Sequence, residues 1–288
     1  MPGVGIKVFW GCRALSGDVP FELSIRSVLG ALGVGLEDLR PQACCGEPIR
    51  SLSLTASCYL SIRLLALSAR GGSDRLLIPC SKGYYMANWA LELISRSEEV
   101  REAVKKALSS EGLDIGLLAR PMSLVDLLYD HLGPEGLRER VEQPLGLEVA
   151  LHPGCYLLRF KPGTGEGLGE LRKLRELLRA VGVETPYYPG MLDCCGGGLE
   201  ATRPDAALTL AGSKIEAAHG AGLECLVVTC PACFEMLDRR QEEALAAVGV
   251  KKPIPVLYFT QLIGLALGLE PDRLGLRFNR SPVEELGI

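Results

Sequence analysis

The sequence predicts an α/β fold of two tandem, pseudo-symmetric domains, each a small parallel sheet with flanking helices and a cysteine-lined pocket. Two observations predict it. Short apolar runs alternate with longer amphipathic stretches along the 288 residues, a pattern typical of strand–helix units with parallel strands. The cysteines also recur at nearly constant spacing, which indicates an internal duplication.

The strands and helices follow from local periodicity. Apolar runs expected as buried strands lie at 5–10, 75–79, 147–151 and 224–229. Amphipathic stretches with helical spacing lie at 21–32, 168–181 and 206–218. The apolar stretch 257–269 is too short to span a membrane and is predicted to be a core helix.

The duplication is read from the eleven cysteines. Cys44-Cys45-Gly46 recurs as Cys194-Cys195-Gly196, and Cys80 recurs as Cys230, both with a shift of 150 residues. Cys12 recurs as Cys155 with a shift of 143 residues. Proline and glycine punctuate the seam at 134–147, so we expect a first domain at 1–143 and a second at 144–288.

The repeated cysteines fall where α/β folds bind ligands. Cys12, Cys80, Cys155 and Cys230 come just after predicted strands, and the carboxyl ends of parallel strands are the usual binding edge. The Cys-Cys-Gly pairs lie in the glycine-rich loops 42–47 and 193–198. Glycine permits close backbone approach to a bulky group. One sulfur-lined pocket per domain follows.

The two cysteine sets differ in size. The second domain has five thiols, at Cys155, Cys194, Cys195, Cys230 and Cys233. Thiolates select zinc, copper(I) or iron–sulfur clusters. Structural zinc sites and ordinary cubane clusters each use four protein ligands. Five thiols indicate either an unusual cluster with an additional thiolate or a four-ligand site with one reactive thiol; zinc and free buried cysteines are the alternatives.

The first domain has four thiols of the set, because Gly83 stands where the second domain has Cys233. The four are Cys12, Cys44, Cys45 and Cys80. They predict an altered or smaller cluster, a zinc site, or a site that binds nothing. Cys58 is expected to be a core residue, with a substitute fifth ligand as the alternative, and Cys225 is expected in the core.

Three polar residues flank these cysteines. His152 precedes the Cys155 loop, and two roles are open for it. It either contacts the ligand shell, where it could donate a proton, or is a hydrogen-bonded structural histidine. Lys82 and Arg159 either place positive charge near a cluster or substrate or are ordinary surface residues.

Composition excludes several classes. The net charge is −4 and no long basic run occurs, so nucleic acid is not an expected partner. No run of 18 apolar residues occurs, and the start has no leader pattern, so we expect a cytoplasmic chain that is not integral to a membrane. No dinucleotide fingerprint is present, so flavin or nicotinamide, if needed, must come from a partner. No ferredoxin-type cysteine run is present either, so we expect electrons to arrive from another subunit.

The motifs resemble a known family. Each repeat resembles the CCG domain, whose pattern is a cysteine, a spacer, Cys-Cys-Gly, a second spacer and Cys-x-x-Cys. The two-copy arrangement resembles the B subunit of heterodisulfide reductase over almost the whole chain. The supporting motifs are Gly11-Cys12-Arg13, Cys44-Cys45-Gly46, Gly154-Cys155-Tyr156-Leu157-Leu158-Arg159, Cys230-Pro231-Ala232-Cys233 and the stretches 236–241 and 255–261.

The resemblance implies two facing noncubane [4Fe-4S] clusters, each held by five cysteines, that cleave a disulfide by homolysis. The second set carries over fully as Cys155, Cys194, Cys195, Cys230 and Cys233. The first carries over only to Cys12, Cys44, Cys45 and Cys80, which implies a second iron–sulfur cluster of altered type, [4Fe-4S] or [2Fe-2S]. Symmetric cleavage does not carry over, because Gly83 departs from the pattern.

Such members resemble the B-type subunits of heterodisulfide-reductase-like complexes in sulfur metabolism. The resemblance implies an oxidoreductase that makes or breaks a disulfide or thiol, carried by a small molecule or a carrier. It also implies two partners, a ferredoxin-like C-type subunit and a flavin-containing A-type subunit. The rival hypotheses are an electron-transfer or docking role without catalysis of its own, and a zinc-stabilised scaffold.

Overall fold

The computed structural model describes residues 5–159 and 167–287. Residues 1–4, part of the start in which no leader pattern was found, lie outside the described residues. In the described part of the chain, no helix is both long enough and apolar enough to cross a membrane.

The first half of the chain forms a parallel sheet of four strands in the order β2-β1-β3-β4. The strands are β1 (Ile6–Val8), β2 (Leu36–Asp38), β3 (Arg75–Leu77) and β4 (Arg120–Met122). The helices are α1 (Cys12–Leu15), α2 (Val19–Ala31), α3 (Leu54–Arg70), α4 (Ser81–Arg96), α5 (Glu98–Ser110), α6 (Leu124–His131) and α7 (Gly133–Arg138). Val8 pairs with both Asp38 and Leu77, so β1 is a central strand.

The second half repeats this topology, with the strand order β6-β5-β7-β8. The strands are β5 (Leu147–His152), β6 (Val183–Glu184), β7 (Cys225–Val228) and β8 (Val256–Tyr258). The helices are α8 (Cys155–Leu158), α9 (Gly167–Ala180), α10 (Pro204–Gly220), α11 (Pro231–Phe234), α12 (Gln241–Val248) and α13 (Phe259–Ala266). The bounds of α3 and α10 differ by the same shift as the cysteine pairs, 150 residues.

The predicted fold class is confirmed: two parallel four-stranded sheets with flanking helices. The four predicted strands and three predicted helices are present, and each begins and ends within two residues of its predicted bounds. Strands β2, β4 and β6 were not predicted, because each contains a polar residue or a proline and none forms an unbroken apolar run. Strand β8 lies at the start of the stretch that was predicted to be a helix.

The prediction of one helix over 257–269 is wrong at its start. Leu257 and Tyr258 belong to β8, which pairs with β7, and the helix begins at Phe259. The whole stretch from Val256 to Ala266 is buried except for Leu265. A fully buried strand and a fully buried helix share the same unbroken apolar pattern, so periodicity cannot separate them.

The two halves pack as one body. Helix α2 of the first half lies against α13 of the second, where Ser24 Oγ and Thr260 Oγ1 are 2.7 Å apart. Helix α9 of the second half lies against α6 of the first, where the Tyr129 hydroxyl donates to Glu176 at 2.5 Å. One buried apolar cluster runs through both halves. These contacts hold the carboxyl ends of both sheets against a common cavity.

Candidate metal centre between the two halves

The nine predicted site cysteines lie at the carboxyl ends of the two sheets. Cys12 and Cys80 follow β1 and β3, and Cys155 and Cys230 follow β5 and β7. Cys44, Cys45, Cys194 and Cys195 lie in loops, and Cys233 lies on α11. None of these nine forms a disulfide in the described part of the chain, so every sulfur is free to bind a metal.

The glycine of each Cys-Cys-Gly loop is required by close packing. Gly46 and Gly196 have φ of +87° and +82°, a region that side chains disfavour. A Cβ on Gly46 would lie 2.4 Å from the carbonyl oxygen of Ser57, and a Cβ on Gly196 would lie 2.4 Å from that of Ala207. Ser57 and Ala207 occupy equivalent positions on α3 and α10. The loop therefore rests directly on the helix and fixes the direction of the two preceding thiols.

The second set forms a tight group of sulfurs. The Sγ atoms of Cys195 and Cys233 are 3.2 Å apart, and both residues are buried. The Gly196 backbone N–H donates to Cys194 Sγ at 3.3 Å. Hydrogen bonds also join Cys194 to Cys155 and Cys230 to Cys233. All five thiols predicted for the second domain thus meet at one place.

Local hydrogen bonds make some of these thiols acidic. The Cys155 and Cys195 thiols donate to Cys194 and lower its pKa far below the ordinary 9.0. Cys233 and Cys80 lie next to Cys230 and lower its pKa well below the ordinary 9.0. Thiolate is the form that binds metals, so the packing favours the ligating state at these two positions.

The first set lines a larger cavity of about 510 Å³. Cys12, Cys45 and Cys80 contribute to its wall, and Gly197, Gly198 and Ala232 of the second half close it from the other side. The volume falls in the range of small-molecule sites, roughly 300–1,000 Å³. In this set the Cys45 thiol donates to Cys44 and lowers the pKa of Cys44 to about 6.

The two sets are in direct contact. Cys80 of the first set lies close enough to Cys230 of the second to lower the pKa of Cys230. Ser81 begins α4 beside them and lines the smaller cavity together with Cys230. Gly197, Gly198 and Ala232 line both the larger cavity and a smaller one bounded by the second set. The sequence places the sets in separate halves, and the packing of the halves joins them.

His152 lies beside the cysteine that the first half lacks. It is buried, and its Nε2 is 3.2 Å from Cys233 Sγ. Burial lowers the pKa of His152 to about 3, so the imidazole is neutral. Nδ1 has no hydrogen-bond partner among the described residues. The contact with Cys233 is what both alternatives left open by the sequence require, a group at the ligand shell or a hydrogen-bonded structural histidine.

In the first half both members of this pair are replaced. Phe9 stands at the position of His152, and Gly83 stands at that of Cys233. A Cβ on Gly83 would lie 3.8 Å from Phe9 Cε1 and 3.1 Å from Ile78 Cγ2. Apolar side chains therefore surround this position in place of the imidazole–thiol contact, and Ile78 is the neighbour that crowds it.

Lys82 and Arg159 belong to a cluster that joins the halves at the cavity rim. Glu47 accepts from Lys82 Nζ at 3.1 Å and from the Tyr156 hydroxyl at 2.8 Å. The Arg159 guanidinium lies 4.5 Å from the centre of the Tyr156 ring and 5.4 Å from that of Tyr85. Lys82 lines both cavities, whereas Arg159 is exposed. Glu47, Tyr85 and Tyr156 had no signal in the sequence, because their roles depend on how the halves pack.

A buried lysine near the second set was also missed. Lys214 on α10 is 2% exposed. Its Nζ donates to the carbonyl oxygens of Gly190 and Met191 at 2.5 and 3.3 Å. The repeat itself carried a signal for this residue. At the shift of 150 residues Lys214 aligns with Leu64, so a charged side chain stands where the first half has an apolar one.

The remaining two cysteines lie in the core, as predicted. Cys58 is fully buried, and its thiol donates to the Ala90 carbonyl at 3.6 Å. Burial raises the pKa of Cys58 to about 12, so it remains a thiol. Cys225 is fully buried within β7.

The donor set fits a thiolate-bound metal group. The second site offers five sulfurs, a backbone N–H directed at sulfur and burial from water, which are the features that hold and tune iron–sulfur clusters. His152, Cys195 and Cys233 present ligand atoms within 4.8 Å of one another, an arrangement that a single zinc ion could also use. Iron and sulfide content distinguishes the two.

Comparison with known proteins identifies relatives over the whole chain. The model of the CCG cysteine-rich domain matches residues 6–86 and 149–238. The B subunit of the ferredoxin/F(420)H(2)-dependent CoB-CoM heterodisulfide reductase of Methanosarcina acetivorans is 32% identical over 95% of this chain and 93% of its own. A protein of Archaeoglobus profundus, named as similar to the heterodisulfide reductase B subunit, is 32% identical over 93% and 92%.

A solved structure shares the fold. A hypothetical protein from Helicobacter pylori superposes with a TM-score of 0.77 at 17% identity. The superposition covers 97% of this chain and 52% of that one, so the chain spans about half the length of this structural relative.

Proposed function

Because the chain belongs to the CCG cysteine-rich domain family, we propose that it is the iron–sulfur subunit of a heterodisulfide-reductase-like complex. Its relatives are named as subunits of heterodisulfide reductases, an oxidoreductase family. In this proposal a disulfide or thiol substrate is made or broken by one-electron steps. The observation that carries it is the meeting of five thiols with a substrate-sized cavity between the halves.

The ligand assignment is part of the proposal. Cys155, Cys194, Cys195, Cys230 and Cys233 would hold a noncubane [4Fe-4S] cluster, and Cys12, Cys44, Cys45 and Cys80 a second cluster of altered type. When bound, such a cluster supplies single electrons and an iron able to bond sulfur. The relation of each cysteine to a strand end, a helix or a Cys-Cys-Gly loop supports the assignment.

The protein's own residues prepare the cavity for a sulfur substrate. Gly197 and Gly198 present no side chain where the larger cavity meets the second set, so a substrate sulfur can approach the buried thiols. Phe9 and Trp10 give that cavity an apolar wall that excludes water. Lys82 lines the passage between the two cavities, where Glu47 holds it.

Electrons would come from partners. The described chain carries no helix that could cross a membrane. We propose a cytoplasmic complex in which one partner is ferredoxin-like and another contains flavin. The names of the relatives support a multi-subunit enzyme, since one is a B subunit and the other is named as similar to one.

The test begins with anaerobic purification and analysis of iron, acid-labile sulfide and zinc. We expect iron with sulfide; zinc without sulfide would overturn the proposal in favour of a scaffold. Cys233→Ala should remove the electron paramagnetic resonance signal of the second site. Cys58→Ala is the matched control, because it deletes an equally buried thiol in the apolar core.

Substrate chemistry needs a separate measurement. Addition of a thiol or heterodisulfide to the oxidised chain should alter the resonance signal that Cys233→Ala removes. An unaltered signal with intact clusters would instead favour the electron-transfer or docking role.

A further inference from the structure

Lys214 is a buried cation that the proposed chemistry does not yet use. It is 2% exposed, and two of its N–H donors are taken by the Gly190 and Met191 carbonyls. Among residues 5–159 and 167–287, no carboxylate forms an ion pair with it. Burying an ammonium without a partner is costly, so the site should contain compensating negative charge.

The groups that face Lys214 identify that charge. They are the Asp193 carboxylate and the thiolates that Cys194, Cys195 and Cys233 form on binding metal, each of which favours the protonated amine. Asp193 is exposed, so water screens it. Cys195 and Cys233 are buried. The Gly190 carbonyl that binds Lys214 also accepts from the backbone N–H of Asp193, the residue before Cys194, so the lysine holds the turn that leads into these thiols. Burial itself lowers the pKa of Lys214, and the thiols oppose that shift.

The duplication provides an internal comparison. Helices α3 and α10 align in sequence without a gap, and Leu64 stands at the position of Lys214. Leu64 is 1% exposed and lies in the apolar cluster that contains Phe9. The half with five thiols therefore has a buried ammonium beside them, whereas the half with four thiols has an isobutyl group at that place.

We propose that Lys214 is the buried counter-cation of the second thiol set, which stabilises the reduced, more negative state of the group those thiols hold. The inference rests on the proposed function, because it requires an iron–sulfur group at this site. Reduction adds one electron, and the ammonium keeps its proton and its charge in both states. Net charge and nearby dipoles are the protein's means of setting cluster potentials.

The test is a redox titration of the full-length, anaerobically loaded chain, with dithionite as reductant. The second-site signal is identified by its loss in Cys233→Ala. Lys214→Gln removes the charge but keeps N–H donors for the carbonyls, and Lys214→Met removes both. Leu64→Met is the control at the equivalent buried position of the first half.

We expect both Lys214 variants to lower the ratio of reduced to oxidised second site by about tenfold at fixed potential, the effect of removing one unit charge roughly 12 Å away at an effective dielectric constant of about 20. That ratio corresponds to a midpoint about 59 mV lower for one electron. Leu64→Met should leave the midpoint unchanged. Loss of second-site iron in Lys214→Gln, with unchanged melting of the iron-free chain, would also support the proposal.

Two results would overturn the inference alone. One is a wild-type midpoint in both Lys214 variants at full iron content. The other is a wild-type midpoint in Lys214→Gln and a lowered one in Lys214→Met, which would assign the effect to the hydrogen bonds of the Gly190–Met191 turn. A wild-type chain that binds no iron would overturn this inference together with the proposed function.

Discussion

The contact between the Cys-Cys-Gly loop and helix α10 can be tested by adding a single methyl group. In Gly196→Ala the new Cβ would lie 2.4, 2.7 and 2.9 Å from the carbonyl oxygen, Cα and carbonyl carbon of Ala207. All three are backbone atoms, so neither partner can yield by rotating a side chain. Gly198, two residues further along the same loop, has no atom within 4 Å of an added Cβ and serves as the control.

The expected cost of Gly196→Ala has two parts. Alanine in the left-handed region, at φ +82°, costs roughly 1–2 kcal/mol. Forcing a methyl group into a filled position costs about 1–3 kcal/mol more. We therefore expect a loss of roughly 2–5 kcal/mol in the free energy of unfolding, against about 0.5 kcal/mol or less for Gly198→Ala, a surface change.

Urea unfolding of the iron-free chain measures both variants without a contribution from bound metal. A parallel iron determination asks whether the displaced loop still presents Cys194 and Cys195. The packing argument would be refuted if Gly196→Ala unfolded within about 0.5 kcal/mol of Gly198→Ala. Gly46→Ala should behave like Gly196→Ala, because its Cβ meets the Ser57 carbonyl oxygen at the same 2.4 Å.

Three further predictions concern charge, site composition and the contact between halves. Burial raises the pKa of the Asp18 carboxyl from 3.8 to about 6. Between pH 3.8 and about pH 6 the folded chain keeps a proton on Asp18 that the unfolded chain releases. The free energy of unfolding therefore falls as the pH rises through this window. Asp18→Asn should therefore stabilise the chain at pH 7 by up to about 3 kcal/mol and have little effect at pH 3, as measured by urea unfolding. Gly83→Cys should leave iron content unchanged, because Ile78 crowds the new Cβ at 3.1 Å and Phe9 stands where the second half has an imidazole beside the thiol. Combination with Phe9→His should raise iron content, and a rise in the single variant would contradict this. Tyr156→Phe removes the hydrogen bond to Glu47 between the halves and should cost about 1 kcal/mol in the same unfolding assay, and an unchanged midpoint would exclude a stabilising role.

Features that depend on local sequence were predictable, and features that depend on packing between the halves were not. The strand-end positions of Cys12 and Cys155 follow from short apolar runs next to each cysteine. The closeness of Cys80 to Cys230, which lowers the pKa of Cys230, requires the two sheets to face each other, and periodicity does not reveal that. Strand β6, Val183–Glu184, is too short to show an alternation.

Alignment of the repeat with itself reveals more than motif spacing alone. The cysteine pattern shows that Gly83 stands in place of a thiol. What that change does to the pocket can be judged only from the other residues that line it. Phe9 for His152 and Leu64 for Lys214 are invisible to a cysteine count, although both are found in the sequence at the repeat shifts of 143 and 150 residues.

These three differences separate the two sites chemically. In the second half the His152 imidazole lies against Cys233, and Lys214 is held by the Gly190 and Met191 carbonyls. In the first half Phe9, Leu64 and Gly83 replace imidazole, ammonium and thiol together, and both Phe9 and Leu64 are fully packed. Cys12, Cys44, Cys45 and Cys80 nevertheless remain at the strand ends and in the loop, lining or flanking the larger cavity. The first half thus combines four thiols with an apolar surround, and the second half combines five thiols with a buried lysine.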